Sequence, residues 1–227
     1  MKYKNILVFS PHPDDETFGC GGTIAKRISE GCEVFVIIMT IGRDAYSNLF
    51  NGDAETKPEE LMKIRKAEEV RAMRILGLRE EHLIFLDFED GTLEQNREEA
   101  EKEVIRILRE YPPIEVYNVY EGDFHPDHRA ASRVVKNAIS KTHIHTAQYE
   151  YSISTRYGRL GIWVKLLLSR IRHNVFYVDI SDFLTLKEKA IKEFKSQVSI
   201  ISERQHKPAI RNITRFLGNK ERFFIGR

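Results

Sequence analysis

The length, composition and charge of the chain are those of an ordinary globular protein. It has 227 residues, of which 41% are hydrophobic and 31% charged, and its formal net charge is +2. These values predict one domain over residues 1–227 that buries a core, and two cysteines exclude a secreted disulfide scaffold. No run approaches the roughly 18 apolar residues of a spanning helix, and the N-terminus lacks a signal-peptide pattern. We therefore expect a cytoplasmic protein.

Apolar runs alternate with helical patterns along the first 140 residues. In chain order, strands are predicted at 5–10, 32–40, 82–88 and 114–120, and helices at 19–31, 58–77, 94–111 and 126–140. This alternation is typical of an α/β fold with a mostly parallel sheet and helices on both faces. Right-handed crossovers then predict a Rossmann-like open sheet in which the first four strands have the order 3-2-1-4.

Residues 141–227 are less regular, and we expect them to form a C-terminal extension that shapes the substrate site. Strands are predicted at 146–154 and 174–181, and a helix at 184–197. Residues 151–227 carry a net charge of +10, whereas residues 1–150 carry −8. Two interpretations stay open: the basic part attracts an anionic substrate or a membrane surface, or it forms solvated helix faces.

The stretch RLGIWVKLLLSRIR at 159–172 has an apolar helical face and only positive charges. Such a helix could contact an anionic membrane or guide a lipid-linked sugar. The favoured alternative is a core helix or a contact between copies of a homo-oligomer. The basic C-terminus interleaves aromatic residues but lacks a nucleic-acid module, so no nucleic-acid partner is expected.

Two polar segments follow predicted strands that should be neighbours. PHPDDE, at 11–16, comes directly after the first strand, and EGDFHPDH, at 121–128, comes directly after the fourth. Because ligands bind beyond the carboxyl ends of such strands, at the point where strand order reverses, both segments should meet in one crevice. Taken separately, PHPDDE could merely cap a helix N-terminus, and HPDH could be a polar turn.

The residue types of the two segments predict a metal site. His12, Asp15 and His128 offer two imidazoles and one carboxylate, a set that suits zinc with an open fourth position. The same set suits ferrous iron or another divalent metal, so the identity of the metal stays open.

The remaining residues of these segments predict hydrolysis by activated water. Asp14 is the natural general base. His125 could stabilise an oxyanion or protonate a leaving nitrogen, with Asp127 or another carboxylate orienting it.

The sequence also resembles the PIG-L/LmbE-like N-acetylglucosaminyl deacetylases. The resemblance lies in PHPDDE and HPDH, and in the weaker signals GG, RKAEEVRAMRILG, FEDGTL and KEKAIKEFKSQ. It implies a zinc-dependent hydrolase that removes acetyl from the nitrogen of an amino sugar. The family pattern places metal ligands at His12, Asp15 and His128, the base at Asp14, the transition-state stabiliser at His125, its orienting residue at Asp127, and contacts to substrate hydroxyls at Arg65 and Asp90.

Several alternatives remain beside this resemblance. TIGRD puts Arg43 where the family often has an acid, which leaves the rim of the substrate site in doubt. Arg65 could instead pair with Glu68 or Glu69 on its own helix, and Asp90 could be only a turn residue. The activity could be that of an amidase for a larger acyl group or a thiol conjugate. A protein of another class, a non-catalytic carbohydrate-binding protein, could keep the same fold.

Overall fold

The protein is an α/β structure, seen here in a computed structural model that describes residues 4–42, 58–153, 175–200 and 207–226. The strands are β1 (Asn5–Ser10), β2 (Glu33–Thr40), β3 (Leu83–Phe88), β4 (Pro113–Val119), β5 (Ala147–Tyr151), β6 (Val175–Asp179) and β7 (Lys220–Ile225). The α-helices are α1 (Asp15–Ser29), α2 (Pro58–Ile75), α3 (Arg97–Glu110), α4 (Pro126–Thr142), α5 (Leu184–Glu193) and α6 (Lys195–Val198). Short 3-10 turns occupy Glu80–His82, Ser181–Phe183 and Thr214–Phe216.

All the described strands belong to one sheet with the order β3-β2-β1-β4-β5-β7-β6. The first five strands in this order are parallel, and β7 pairs antiparallel with both β5 and β6. α3 packs with α4, while α5 packs with α1 and α2. The Rossmann-like order 3-2-1-4 is confirmed, and the extension is more regular than expected because its strands continue the same sheet.

The centre of the sheet is buried because helices cover both of its faces. Every residue of β2 after Glu33 is buried, which explains why EVFVIIMT is nearly continuous in apolar residues. α3 instead shows helical periodicity, and its buried apolar residues are Ala100, Val104, Ile107 and Leu108. A continuous apolar run in the sequence therefore reflects a strand that is buried on both faces of the sheet. Helical spacing of apolar residues reflects a helix that is buried on one face.

Two helix starts differ from the sequence prediction. α1 begins at Asp15, four residues before the predicted start, and it bends at Cys20, where φ is −145°. α3 begins at Arg97, because the carbonyl of Thr92 first accepts the N–H groups of Gln95 and Asn96 in a turn. The predicted helix at 184–197 is divided into α5 and α6.

A buried carboxylate in β7 joins the C-terminal extension to α1. Glu221 accepts the N–H groups of Gly22 and Thr23 at 2.9 and 2.7 Å and the hydroxyl of Thr23 at 2.5 Å. Lys187 of α5, which is 1% exposed, donates to the same carboxylate at 2.6 Å. The bend at Cys20 interrupts the series of helical backbone hydrogen bonds. Glu221 accepts the N–H groups of Gly22 and Thr23, which would otherwise lack acceptors.

Two features of the sequence analysis cannot be placed. The amphipathic stretch 159–172 and Arg43 lie outside the described residues. Within the described ranges, no helix is both long enough and apolar enough to cross a bilayer. The proposals of a membrane contact and of an oligomer contact for 159–172 therefore stay predictions.

α1 packs closely against the C-terminal extension, so replacing either of two adjacent glycines by alanine should have different effects on the free energy of unfolding. A Cβ atom at Gly22 would lie 2.5 Å from Cδ1 and 2.8 Å from Cβ of Ile180, whereas at Gly21 the nearest atom is 3.5 Å away. Gly22→Ala should lower the free energy of unfolding by about 1–3 kcal/mol through overpacking. Gly21→Ala, the matched control, should leave it unchanged or raise it by up to about 1 kcal/mol. Urea unfolding of both variants checks this, and equal stabilities would contradict the close approach.

Candidate metal centre

The two polar segments meet where the sheet topology requires. β1 and β4 are parallel neighbours, with Leu7 opposite Val116 and Val8 opposite Tyr117. The turn after β1 leads into α1, and the turn after β4 leads into α4. The predicted crevice is therefore formed by the starts of two helices at the carboxyl edge of the sheet.

Three potential ligand atoms converge in this crevice. Oδ2 of Asp15 lies 3.0 Å from Nδ1 of His12 and 3.1 Å from Nε2 of His128, and the two nitrogens are 3.3 Å apart. Ligands about 2.0–2.1 Å from a tetrahedral zinc ion are separated by about 3.3 Å. This triangle therefore fits a divalent metal, and the three side chains, at most 12% exposed, belong to the residues predicted as ligands.

The other nitrogen of each imidazole faces a second carboxylate. Nε2 of His12 is 3.3 Å from Oδ2 of Asp127, and Nδ1 of His128 is 3.3 Å from Oδ1 of Asp123. The second contact departs from the ideal direction of a hydrogen bond. Carboxylates in such positions fix the tautomer and orientation of metal-binding histidines. Asp123 was missed in the sequence analysis, although it belongs to EGDFHPDH.

The surrounding carboxylates favour positive charge at the triangle. Burial lowers the pKa of His12, but hydrogen bonds to Asp127 and Asp15 outweigh it and raise that pKa to about 10. Burial also lowers the pKa of His128, which Asp15 and Asp123 nevertheless raise to about 9. Burial raises the pKa of Asp15, but His128 and His12 outweigh it and hold that pKa well below its usual value.

His125 stands at the open side of the triangle. Its side chain is 47% exposed, and its ring contacts His12 edge-on with centroids 4.6 Å apart. Potential ligand atoms of His12, His125 and His128 all lie within 4.8 Å of one another. Nδ1 of His125 accepts the N–H of Asp127 at 3.3 Å, while Oδ2 of Asp127 is 3.9 Å away. The carboxylate of Asp127 is thus nearer to His12 than to His125.

Asp14 adopts a strained backbone conformation between the predicted ligands. Its φ of 121° is rare for a residue other than glycine and costs about 1–3 kcal/mol. Burial raises the pKa of Asp14 to about 8, although the neighbouring Arg65 opposes this. Nη2 of Arg65 lies 3.2 Å from Oδ2 of Asp14. A buried carboxyl with a raised pKa, beside a potential metal site, suits a proton acceptor.

Glu16, the last acid of PHPDDE, has a structural environment. It is fully buried and accepts hydrogen bonds from the hydroxyls of Ser10 and Thr17 at 2.9 and 2.5 Å. It also accepts the N–H of Thr17 at 2.8 Å and that of Asp14 at 3.3 Å. Glu16 therefore holds the turn in shape and lies apart from the three converging atoms.

Arg65 and Asp90 make hydrogen bonds to backbone groups within the protein. Arg65 is 2% exposed and donates to the carbonyls of Pro13 and Gly42 at 2.7 and 2.8 Å, besides its contact with Asp14. Asp90 accepts the N–H of Gly42 at 2.7 Å. The ion pair of Arg65 is thus made with Asp14, and the predicted substrate contacts of Arg65 and Asp90 stay predictions.

These observations define an α/β protein with a histidine–carboxylate site of the kind that holds a divalent metal. The family model described as "PIG-L: GlcNAc-PI de-N-acetylase" matches residues 7–139, which is more than half of the chain. The chain belongs to this family. The predictions of the family and of an N-deacetylase enzyme are therefore confirmed.

Individual relatives agree with the family assignment. Diacetylchitobiose deacetylase of Thermococcus kodakarensis is 31% identical over 95% of this chain and 78% of that protein. A probable N-acetyl-alpha-D-glucosaminyl L-malate deacetylase 2 of Bacillus cereus is 34% identical over 61% of this chain and 62% of its own length. The solved N,N'-diacetylchitobiose deacetylase of Pyrococcus horikoshii superposes with a TM-score of 0.72 at 26% identity, over 99% of this chain and 84% of that one.

An internal role for Arg65 predicts a loss of stability without any substrate. Arg65→Met would leave two buried carbonyls and the Asp14 carboxylate without their donor, and should lower the free energy of unfolding by about 2–4 kcal/mol. Arg71→Met is the matched control on α2, because Arg71 is 47% exposed and pairs with Glu193 at the surface; it should cost at most about 1 kcal/mol. Chemical unfolding measures the stability of both variants. An Arg65→Met protein as stable as the wild type would contradict this internal role of Arg65.

Proposed function

We propose that the protein is a metal-dependent hydrolase that removes the acetyl group from the nitrogen of an amino sugar or a glycoconjugate. The observation that carries this proposal is the triangle of His12, Asp15 and His128, with edges of 3.0 to 3.3 Å. Two imidazoles and one carboxylate suit zinc, and they also suit ferrous iron. Either cation there supplies Lewis acidity that polarises an acyl carbonyl and acidifies water.

Asp14 takes the proton of the attacking water in this proposal. Arg65 contacts its Oδ2, so we assign the proton to Oδ1. As the oxygen of water bonds to the acyl carbon and the C–N bond breaks, Asp14 passes the proton to the departing nitrogen. The second proton of the water stays on the new carboxyl group, so the products are a carboxylic acid and a free amine, and Asp14 is again unprotonated.

His125 stabilises the negative charge that develops on the acyl oxygen. Because its Nδ1 accepts the N–H of Asp127, a neutral His125 carries its proton on Nε2. This Nε2–H is a hydrogen-bond donor on the open side of the site. Of the two roles that the sequence analysis left open, this geometry favours stabilisation of the oxyanion over protonation of the leaving nitrogen.

The substrate class follows from the relatives. The similarity to diacetylchitobiose deacetylase extends over 95% of the chain, which supports an N-acetylated amino sugar as substrate. N,N'-diacetylchitobiose and N-acetylglucosamine derivatives are the first compounds to test, by release of acetate. N-propionyl and N-butyryl analogues separate a deacetylase from the alternative amidase, because faster cleavage of the larger acyl groups would favour the amidase.

Loss of one ligand should strongly weaken metal binding. The wild-type protein is expected to bind one Zn²⁺ per chain, and His128→Gln should weaken binding by more than about 100-fold, beyond the effect of changing an outer residue. His82→Gln is the control, because His82 is buried against Phe35 on β2. Competition with a chromophoric chelator measures the affinities, and zinc bound equally by both variants would overturn the ligand set.

Replacement of the proposed base should separate catalysis from binding. Asp14→Asn keeps a residue that tolerates positive φ, so zinc affinity should persist while kcat falls by about 100- to 10,000-fold. Asp87→Asn is the matched control, because Asp87 also has a positive φ, of 59°, and is 53% exposed. Acetate release gives kcat for both proteins. Full activity of Asp14→Asn would contradict the assigned role.

A further inference from the structure

We propose that Asp123 is a positioning residue that orients His128 and holds the turn that carries His125. Asp123 lies behind the metal triangle, and its side chain is fully buried. The inference rests on the proposed metal-dependent function, but it adds a residue for which the sequence analysis assigned no role.

The two nitrogens of His128 need different partners if this ring is to bind a cation. Nε2 faces Asp15 at 3.1 Å and His12 at 3.3 Å, so its lone pair must point into the triangle. The proton of the neutral ring then resides on Nδ1. Nδ1 is buried and makes no hydrogen bond of ideal direction; the group that faces it is the carboxylate of Asp123, whose Oδ1 lies 3.3 Å away. A carboxylate at this place stabilises the tautomer that binds metal and makes Nε2 a better donor.

Asp123 is itself held by the backbone. Its Oδ1 accepts the N–H of Phe124 at 2.6 Å and that of His125 at 3.4 Å, and Oδ2 accepts the N–H of Ile153 at 3.3 Å. Arg129 of α4 donates to the carbonyls of Asp123 and Phe124 at 3.3 and 2.6 Å. The carboxylate therefore has a defined position, and it connects His128, the turn before α4 and the segment that follows β5.

Asp123 and Asp127 thus have parallel functions for the two imidazoles. Asp127 faces Nε2 of His12 and is held by the N–H groups of Gly91 and Leu93. His12 presents Nδ1 to the triangle and His128 presents Nε2. Each ring therefore needs a carboxylate on its opposite side, and Asp123 supplies the one for His128.

The variant that tests this proposal is Asp123→Asn. Asparagine keeps the size of the side chain and one oxygen, which at the position of Oδ1 still accepts the N–H groups of Phe124 and His125. Its amide NH2 replaces Oδ2, so the N–H of Ile153 loses its acceptor, and the negative charge that faces Nδ1 is removed. Zinc affinity, measured by competition with a chromophoric chelator, should fall by about 10- to 100-fold. Glu150→Gln is the matched control, because Glu150 is 4% exposed and pairs with Lys136. This control should bind zinc as the wild-type protein does.

Histidine ¹⁵N NMR distinguishes positioning from a merely structural role. In the zinc-loaded wild-type protein, His128, assigned by comparison with His128→Gln, should carry its proton on Nδ1. This proton should exchange slowly with water. In zinc-loaded Asp123→Asn, exchange of this proton should be faster than in the wild-type protein, because the negative charge that faces Nδ1 is gone. Glu150→Gln should retain the wild-type signal.

The outcomes separate this inference from the proposed function. Failure of the wild-type protein to bind zinc would overturn both. If the wild-type protein binds zinc, the positioning role alone is overturned by unchanged affinity in Asp123→Asn. A wild-type His128 without a proton on Nδ1 would overturn it as well, and this measurement holds even if Asp123→Asn does not fold.

Discussion

The parallel pairing of β1 with β4 is the constraint on which the site depends. It brings two turns, about 115 residues apart in the chain, to one edge of the sheet. Neither turn alone contains the proposed ligand set, since His12 and Asp15 come from one and His128 from the other. Acidic residues crowded into the first turn would repel one another in a buried site; the imidazoles offset that repulsion, and a cation held by the proposed ligands would offset it further.

The acids of the site are distinguished by their partners. Asp15 faces two imidazoles, Asp14 contacts a guanidinium, and Glu16 accepts hydrogen bonds from hydroxyl and backbone donors of its own turn. Such fixed partners give each carboxyl group one orientation, which a catalytic site needs if geometry is to be held within fractions of an ångström. The positive φ of Asp14 is the conformational cost of placing the carboxylates of Asp14 and Asp15 side by side.

The sequence was sufficient for features that depend on local patterns. The alternation of burial predicted the strands, and the crossover rule predicted the order of the first four, which then placed HPDH beside PHPDDE. It was insufficient for features that depend on pairs distant in the chain. Arg65 reaches back 51 residues to Asp14, and Asp123 reaches forward 30 residues to Ile153, without any periodic signal. The bend of α1 at Cys20 was equally hidden, because Glu221, which satisfies it, lies almost 200 residues away.

The contact between Glu221 and α1 has a consequence for biosynthesis. The carboxylate that accepts the N–H of Gly22 is translated 199 residues after that glycine. At about 5–20 residues per second, this delay is roughly 10–40 s. During this time the nascent chain carries α1 without its acceptor, so the helix matures only after β7 has been added to the sheet. The part of α1 that follows the bend therefore gains Glu221 as its acceptor only after β7 has been translated.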